Sequence, residues 1–313
     1  MAYERILVPL DGTELAEKAL PYAKNIAKLK GSTLILFAVS LTIFAERRDR
    51  LYSSYLEVKA KELNDEGIKT TTATSHGYIA QEIVKFAQEN IDLIVMATHS
   101  YSGAKHWMFG SVTQKVLFGT EIPVLLVKGT SPELSGEFNR ILIPLDGSPF
   151  SEASFPYIEE LTRNTDREVI LLHICEPPLV PSYGSRPINQ SWKKHRDNMW
   201  EEMEKLATNY LTTKMTALKK KGVNVKTRVV KAQSGEVVKT IMQVSKEENI
   251  DLIVVATQGR AGERRWVYGN VANKIVEEIS QPLLLVRPPK SVPLSHPENI
   301  LDDIWNSYIT SKG

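Results

Sequence analysis

Apolar residues along the chain fall into short β-branched runs, separated by stretches in which they recur every third or fourth position. Arg5–Leu10, Thr33–Val39, Lys69–Thr74, Asp92–Ala97 and Val124–Val127 are runs of the first kind, bounded by Gly31, Gly67, Gly77 and Pro123. Such runs predict strands. Between the first two, Ala16, Ala19, Leu20, Ala23, Ile26 and Ala27 share one face at helical period, which predicts a helix. Runs at 140–145, 168–175, 224–231, 251–256 and 283–286 repeat the series. Alternation of this kind predicts parallel sheets with right-handed crossovers. The fold class expected is α/β: two tandem open five-stranded parallel-sheet domains with helices on both faces.

The repetition extends to individual residues. Arg5-Ile6-Leu7-Val8-Pro9-Leu10-Asp11-Gly12-Thr13 returns as Arg140-Ile141-Leu142-Ile143-Pro144-Leu145-Asp146-Gly147-Ser148, an offset of 135 positions. Glu89–Val95 returns unchanged as Glu248–Val254, followed by Ala97-Thr98 and Ala256-Thr257, at an offset of 159. The second copy is therefore longer by the difference, 24 residues. Most of the excess falls at about 177–200, where Pro177, Pro178, Pro181, Gly184 and Pro187 predict an exposed loop. The domains expected are 1–131, a linker at 132–139, and 140–289. In the tail, 290–313, Ile300, Leu301, Ile304, Trp305, Tyr308 and Ile309 predict a short amphipathic helix.

Composition narrows the function. The 313 residues are 42% hydrophobic and 24% charged, with a formal charge of +2, too small a field to hold a polyanion through many phosphates. Nucleic acid is not the partner expected. Leu34–Phe44, the most apolar stretch, is far below the roughly 20 residues that span a bilayer, and no secretory leader pattern opens the chain. A cytoplasmic protein without a membrane partner is expected. Cys175 is the single cysteine, which rules out an internal disulfide.

Candidate chemistry lies in two loops per copy. In an open parallel sheet, ligands bind beyond the carboxyl ends of the strands where the strand order reverses. One loop carries Asp11-Gly12-Thr13 or Asp146-Gly147-Ser148; the other follows the fourth strand and ends at Gly110-Ser111 or Gly269-Asn270, where a helix is expected to open. Unpaired amides at a helix start favour a phosphate. Each aspartate also stands where it could cap the following helix. His99 and His106 lack zinc-ligand spacing, and His173 with Cys175 is read as buried packing. The clusters Lys193–Arg196 and Lys219–Lys221 are read as solvated helix faces, whereas Arg264-Arg265 lies within the second loop. No Ser-His-Asp order, paired catalytic carboxylates or Gly-Lys-Ser/Thr phosphate loop is present.

Taken together, the opening Ile-Leu-Val-Pro-Leu-Asp-Gly-Thr, the strand Ile-Asp-Leu-Ile-Val-x-Ala-Thr, the loop into Gly-Ser-Val and the closing Pro-Val-Leu-Leu-Val resemble a universal stress protein domain. The resemblance covers all five strands of both copies. It implies a Rossmann-like, adenine nucleotide alpha hydrolase-like fold and a site for ATP, with Mg²⁺ accompanying the triphosphate. The family's signature is glycine, two residues, glycine, nine residues, then glycine with serine or threonine. The matching positions are Ala256, Gly259, Gly269 and Asn270 in the second copy, and Ala97, Ser100, Gly110 and Ser111 in the first. Both copies depart from the pattern, the first more severely if position 100 requires positive φ.

By the same resemblance, Asp146 and Asp11, with Pro144 and Leu145, lie on the adenosine side. Backbone at Ile174 and Val39 meets adenine. Gly259, Gly269 and Asn270 meet the phosphates, and Arg260, Val271, Gly110, Ser111 and Val112 are further candidate nucleotide contacts. The expectation is an ATP-binding stress-response or regulatory protein without efficient catalysis, the second copy holding the better site. A slow ATPase or adenylyl-transfer enzyme, and an interaction scaffold with degenerate sites, are the alternatives. Single domains of the family dimerise through their last strands. Duplication therefore implies an intrachain pseudo-dimer through Pro123–Val127 and Pro282–Val286, with a homodimer of chains open as well.

Overall fold

The computed structural model describes residues 3–41, 45–98, 110–129, 136–177, 190–257 and 270–288, the side chains of 45–49 and 270 excepted. The first copy supplies strands β1 (Arg5–Pro9), β2 (Thr33–Ser40), β3 (Thr70–His76), β4 (Leu93–Thr98) and β5 (Val124–Lys128). Its helices are α1 (Glu14–Glu17), α2 (Leu20–Lys30), α3 (Ala45–Asp65), α4 (Ile79–Ala87) and α5 (Ser111–Gly119). The second copy follows with β6 (Arg140–Pro144), α6 (Phe155–Thr162), β7 (Glu168–Cys175) and α7 (Gln190–Lys219). It closes with β8 (Asn224–Lys231), α8 (Val237–Glu247), β9 (Leu252–Ala256), α9 (Asn270–Glu278) and β10 (Leu283–Val286).

Each copy, taken by itself, has one strand order: β3-β2-β1-β4-β5 and β8-β7-β6-β9-β10. The pairs β1–β2, β1–β4, β2–β3, β4–β5, β6–β7 and β7–β8 are parallel. Ile6, Leu7 and Val8 of β1 and Ile141, Leu142 and Ile143 of β6 are fully buried. Three consecutive apolar residues can all be buried only if both faces of the strand are covered, as helices do in this class of sheet. The strands β3 and β8 are different. Threonines and charged residues leave them half-exposed, which suits sheet edges.

Contacts group the chain into two compact units that do not coincide with the sequence repeats. Among the described residues, the first unit holds those up to Phe138 with Asp251–Val254 and Val276–Arg287; the second holds Asn139–Ile250 and Val255–Ile275. The reason is an antiparallel pairing of β10 on β5, with Leu283 opposite Leu126 and Leu285 opposite Val124. These are the two segments the sequence singled out as last strands. Lys128 Nζ donates to the Glu277 carbonyl at 3.1 Å, and Arg287 Nη1 to the Thr120 carbonyl at 3.1 Å.

Two expectations are corrected. The apolar face from Ala16 to Ala27 is not one helix but two, α1 and α2, because Pro21 in the first turn of α2 has no N–H to continue the ladder. The stretch to Trp200 is not loop throughout: α7 begins at Gln190, since neither proline nor glycine occurs from there to Lys219. Its first ten residues are indeed largely exposed. Residues 178–189 and the tail helix expected after 290 lie outside the described residues.

Candidate functional site

In the first copy the chain runs outward from β1 to β2 and β3, then returns to β4 and β5 on the other side. The order reverses between β1 and β4, and again between β6 and β9, and it is beyond the carboxyl ends at such a reversal that sheets of this kind leave a crevice for a ligand. Strand register shows what meets there. Pro9 lies opposite Phe37 and Leu7 opposite Ile94, so continuing two and four residues places Val39 and Thr98 at the level of Asp11. Pro144 lies opposite Leu172, which places Ile174 at the level of Asp146. The aspartates thus stand level with Val39, Thr98 and Ile174 at the ends of the neighbouring strands.

Each aspartate organises its own loop. Asp11 Oδ1 accepts from the Thr13 amide at 3.0 Å and the Thr13 hydroxyl at 2.6 Å. Thr13 Oγ1 in turn accepts from the Ala16 amide at 3.2 Å as the N-cap of α1. The second loop reproduces this: Asp146 Oδ1 accepts from the Ser148 amide at 2.9 Å and hydroxyl at 2.6 Å, and Ser148 Oγ from the Ser151 amide at 3.3 Å. In the first loop the hydroxyl residue is therefore the cap and the aspartate orients it; in the second the same bonds brace the loop, but the 3-10 turn Ser151–Ser154 that follows has Phe150 at its N-cap. Gly12 and Gly147 between them have φ of 83° and 84°, a conformation that a side chain would strain.

The copies differ in exposure. Asp11, Gly12 and Thr13 are exposed, whereas Asp146 is half-buried and Gly147 and Ser148 are buried. Leu10 and Leu145 tie the loops to the neighbouring strand through amides that donate to Phe37 and Leu172 at 2.8 Å. Val39 is buried and Ile174 half-buried; Pro144 is half-buried, and Leu145 buried.

At the fourth strands, Ala97 is half-buried and Ala256 buried. The hydroxyls of Thr98 and Thr257, which follow them, are buried with no hydrogen-bond partner among the described residues. Helix α5 then opens at Ser111 with Gly110 as N-cap, without a side-chain cap and without an acidic residue in its first turn. Leading amides and the positive end of the dipole at such a helix start favour an anion. Ser111 is exposed and Val112 half-buried. In the second copy α9 opens at Asn270, again without first-turn acid, and Val271 is exposed. Ser100, Gly259, Arg260 and Gly269 lie outside the described residues, as do His99, His106 and Arg264-Arg265.

A repeated triad stands behind each aspartate loop. Tyr55 Oη donates to Glu17 Oε1 at 2.8 Å and Lys59 Nζ pairs with Glu17 Oε2 at 3.1 Å. In the second copy Tyr210 Oη donates to Glu152 Oε1 at 2.9 Å and Lys214 Nζ to Glu152 Oε2 at 2.7 Å. Burial, then the neighbouring glutamate, pushes both phenols well above the usual tyrosine range. These residues escaped the sequence-based assignment, although a signal exists: Tyr-x-x-x-Lys occurs in both copies, and a glutamate stands six residues after each aspartate.

His173 is structural. Buried, it bonds through Nδ1 to the Leu145 carbonyl at 2.8 Å and so supports the residue before Asp146. Among the described residues no group of three His, Cys, Asp or Glu could hold a metal ion, and no helix is long and apolar enough to cross a membrane.

Comparison with known proteins agrees with this architecture. The model described as "Universal stress protein family" matches twice, at residues 2–128 and 137–287. Universal stress protein MJ0531 of Methanocaldococcus jannaschii is 33% identical over 145 residues, 42% of this chain and 85% of its own length. The universal stress protein E homolog of Haemophilus influenzae is 23% identical over 93% of this chain and 99% of its own. A crystal structure of a universal stress protein from Archaeoglobus fulgidus shares the fold at a TM-score of 0.66 and 20% identity, covering 92% of this chain and 100% of that one. This chain belongs to the universal stress protein family and carries two copies of its domain in tandem.

Proposed function

We propose that this protein is an ATP-binding stress-response or regulatory protein, with the nucleotide at the crevice beyond strands one and four and the second copy as the stronger site. The observation that supports the proposal is the register that sets each aspartate loop level with the neighbouring strand end at a reversal of strand order, joined in the first copy by a helix after the fourth strand whose start has no side-chain cap. An aspartate accepts from hydroxyls, as a ribose offers them, and free helix amides donate to anionic phosphoryl oxygens. Pro144, Leu145, Asp146 and Ile174 would hold the nucleoside in the second copy; Ala256, Gly259, Arg260, Gly269, Asn270 and Val271 would hold the phosphates. Asp11 and Val39, with Ala97, Ser100, Gly110, Ser111 and Val112, are the counterparts. Mg²⁺ would arrive with the triphosphate.

The ranking of the copies rests on two features. Asp146 is half-buried where Asp11 is exposed, so its hydrogen bonds are less diluted by water. The second copy also keeps Gly259 where the first has Ser100. Titration calorimetry of the intact chain with ATP and Mg²⁺ tests both parts. Wild type should bind, and Asp146→Ala should weaken the tighter site while Asp11→Ala leaves it intact. A tighter site lost with Asp11→Ala would reverse the ranking; heat no different from buffer would end the proposal.

A further inference from the structure

We infer that the hydroxyls of Thr98 and Thr257 are ligand contacts, each donating a hydrogen bond to a ribose or phosphate oxygen of the bound nucleotide. The inference rests on the nucleotide reading above and adds to it a residue pair that stands between the first two positions of the glycine signature, where the signature specifies no residue type.

Four buried side-chain oxygens among the described residues have no hydrogen-bond partner: those of Tyr22, Thr98, Ser245 and Thr257. Tyr22 and Ser245 sit within helices α2 and α8. Ser245 corresponds to Phe86 at the repeat offset, so its hydroxyl is not a shared feature. Thr98 and Thr257, in contrast, are equivalent residues of the two copies, and their side chains retain only 2% and 4% exposure. Thr98 is the last residue of β4 and Thr257 the first after β9, so both stand at the carboxyl end of a fourth strand, where the strand order reverses.

A buried hydroxyl without a partner is destabilising, and valine has nearly the same shape without that cost. Packing alone therefore favours valine at both positions. The duplicated threonine is accounted for if its partner arrives from outside. Register narrows that partner. Thr98 falls at the level of Asp11 on the side of β4, and Val39 at the same level on the side of β2. If the adenine edge lies against Val39 and the ribose at Asp11, the next oxygen-rich part of the ligand faces Thr98. A hydroxyl can donate to such an oxygen, whereas valine cannot.

The test uses the full chain with Thr98→Val, Thr257→Val and Thr257→Ser. Without nucleotide, the valine variants should melt at or above the wild-type temperature, because an unpaired polar group has been removed. With ATP, Thr257→Val should bind about fivefold more weakly at the tighter site, while Thr257→Ser stays within about twofold of wild type. Wild-type binding matched by the valine variants would overturn this inference and leave the nucleotide reading standing. A clear fall in melting temperature of both valine variants without nucleotide would also overturn it, since the hydroxyls would then have partners within the protein. A wild type that binds no ATP would overturn the nucleotide reading, and this inference with it.

Discussion

Tyr210, on the long helix α7, donates its phenolic hydrogen to Glu152, six residues beyond Asp146, at 2.9 Å. Tyr55 and Glu17 stand in the same relation in the first copy. A glutamate on the turn after the aspartate loop is thereby fastened to the crossover helix in both halves. The bond is a mechanical support for the loop: it fixes the element into which the Asp146 loop leads.

Tyr210→Phe should lower the unfolding free energy by about 2 kcal/mol, the usual range for a buried hydrogen bond to a charged group. Urea denaturation at neutral pH measures it. Glu152→Ala should cost more, because Lys214 also loses its partner. The phenol's pKa is raised in the folded protein, so its contribution is complete below the unfolded value, about 10, and fades as pH rises toward the folded one. The alkaline limb of stability should be shallower in Tyr210→Phe.

At the opposite ends of the second copy's strands, Glu248 accepts from Lys226 at 3.1 Å, Arg228 at 2.8 Å and Arg140 at 3.3 Å. The Lys226 bond, opposed by burial and assisted by Arg228, holds its carboxyl below the usual range. In Glu168 burial acts upward, but Arg140 and Lys226 outweigh it. Depressed carboxylate values stabilise above the unfolded pKa, about 4.3, and that share is lost as pH falls below it. Glu248→Gln should flatten the acid limb between roughly pH 5 and 3, and added salt should reduce the difference because these groups are partly solvated.

Lys128 has the opposite sign. Burial pushes its ammonium down to about 8, against the pull of Glu277 and Glu278. A base whose folded value is depressed costs stability while it is charged and relieves that cost on deprotonation. Stability should therefore climb from about pH 8 toward the unfolded value near 10.4, and Lys128→Met should remove that climb. Chemical denaturation at half-unit pH steps distinguishes the two profiles.

Gly12→Ala isolates the backbone demand of the first loop. With φ of 83° and no atom within 4 Å of an added Cβ, the variant meets no clash, only the left-handed conformation. A loss of about 1 kcal/mol in unfolding free energy is expected.

The ten strands were legible because the chain states them twice, and a boundary blurred in one copy is sharp in the other. The site's strand ends were legible for the same reason: Asp11 and Asp146 sit at matched places after matched strands. The break before Pro21 was hidden by an apolar face that runs through it without interruption. The start of α7 was hidden by five prolines and glycines just upstream. Helices α3 and α7 are too polar to announce themselves by periodicity. The partnership of Tyr210 with Glu152 joins residues 58 positions apart, and sequence spacing cannot choose among the carboxylates available. The isolation of Thr98 and Thr257 is a property of their surroundings alone, so no pattern of letters encodes it.

The seating of β10 against β5 carries a genetic consequence. A gene severed at the junction would yield a leading fragment whose fifth strand ends in bare amides and carbonyls along an apolar ladder. Such a fragment would precipitate, or recruit a twin to restore the missing neighbour. In the intact chain β10 supplies that neighbour from the same molecule, so the ladder is completed whatever the concentration.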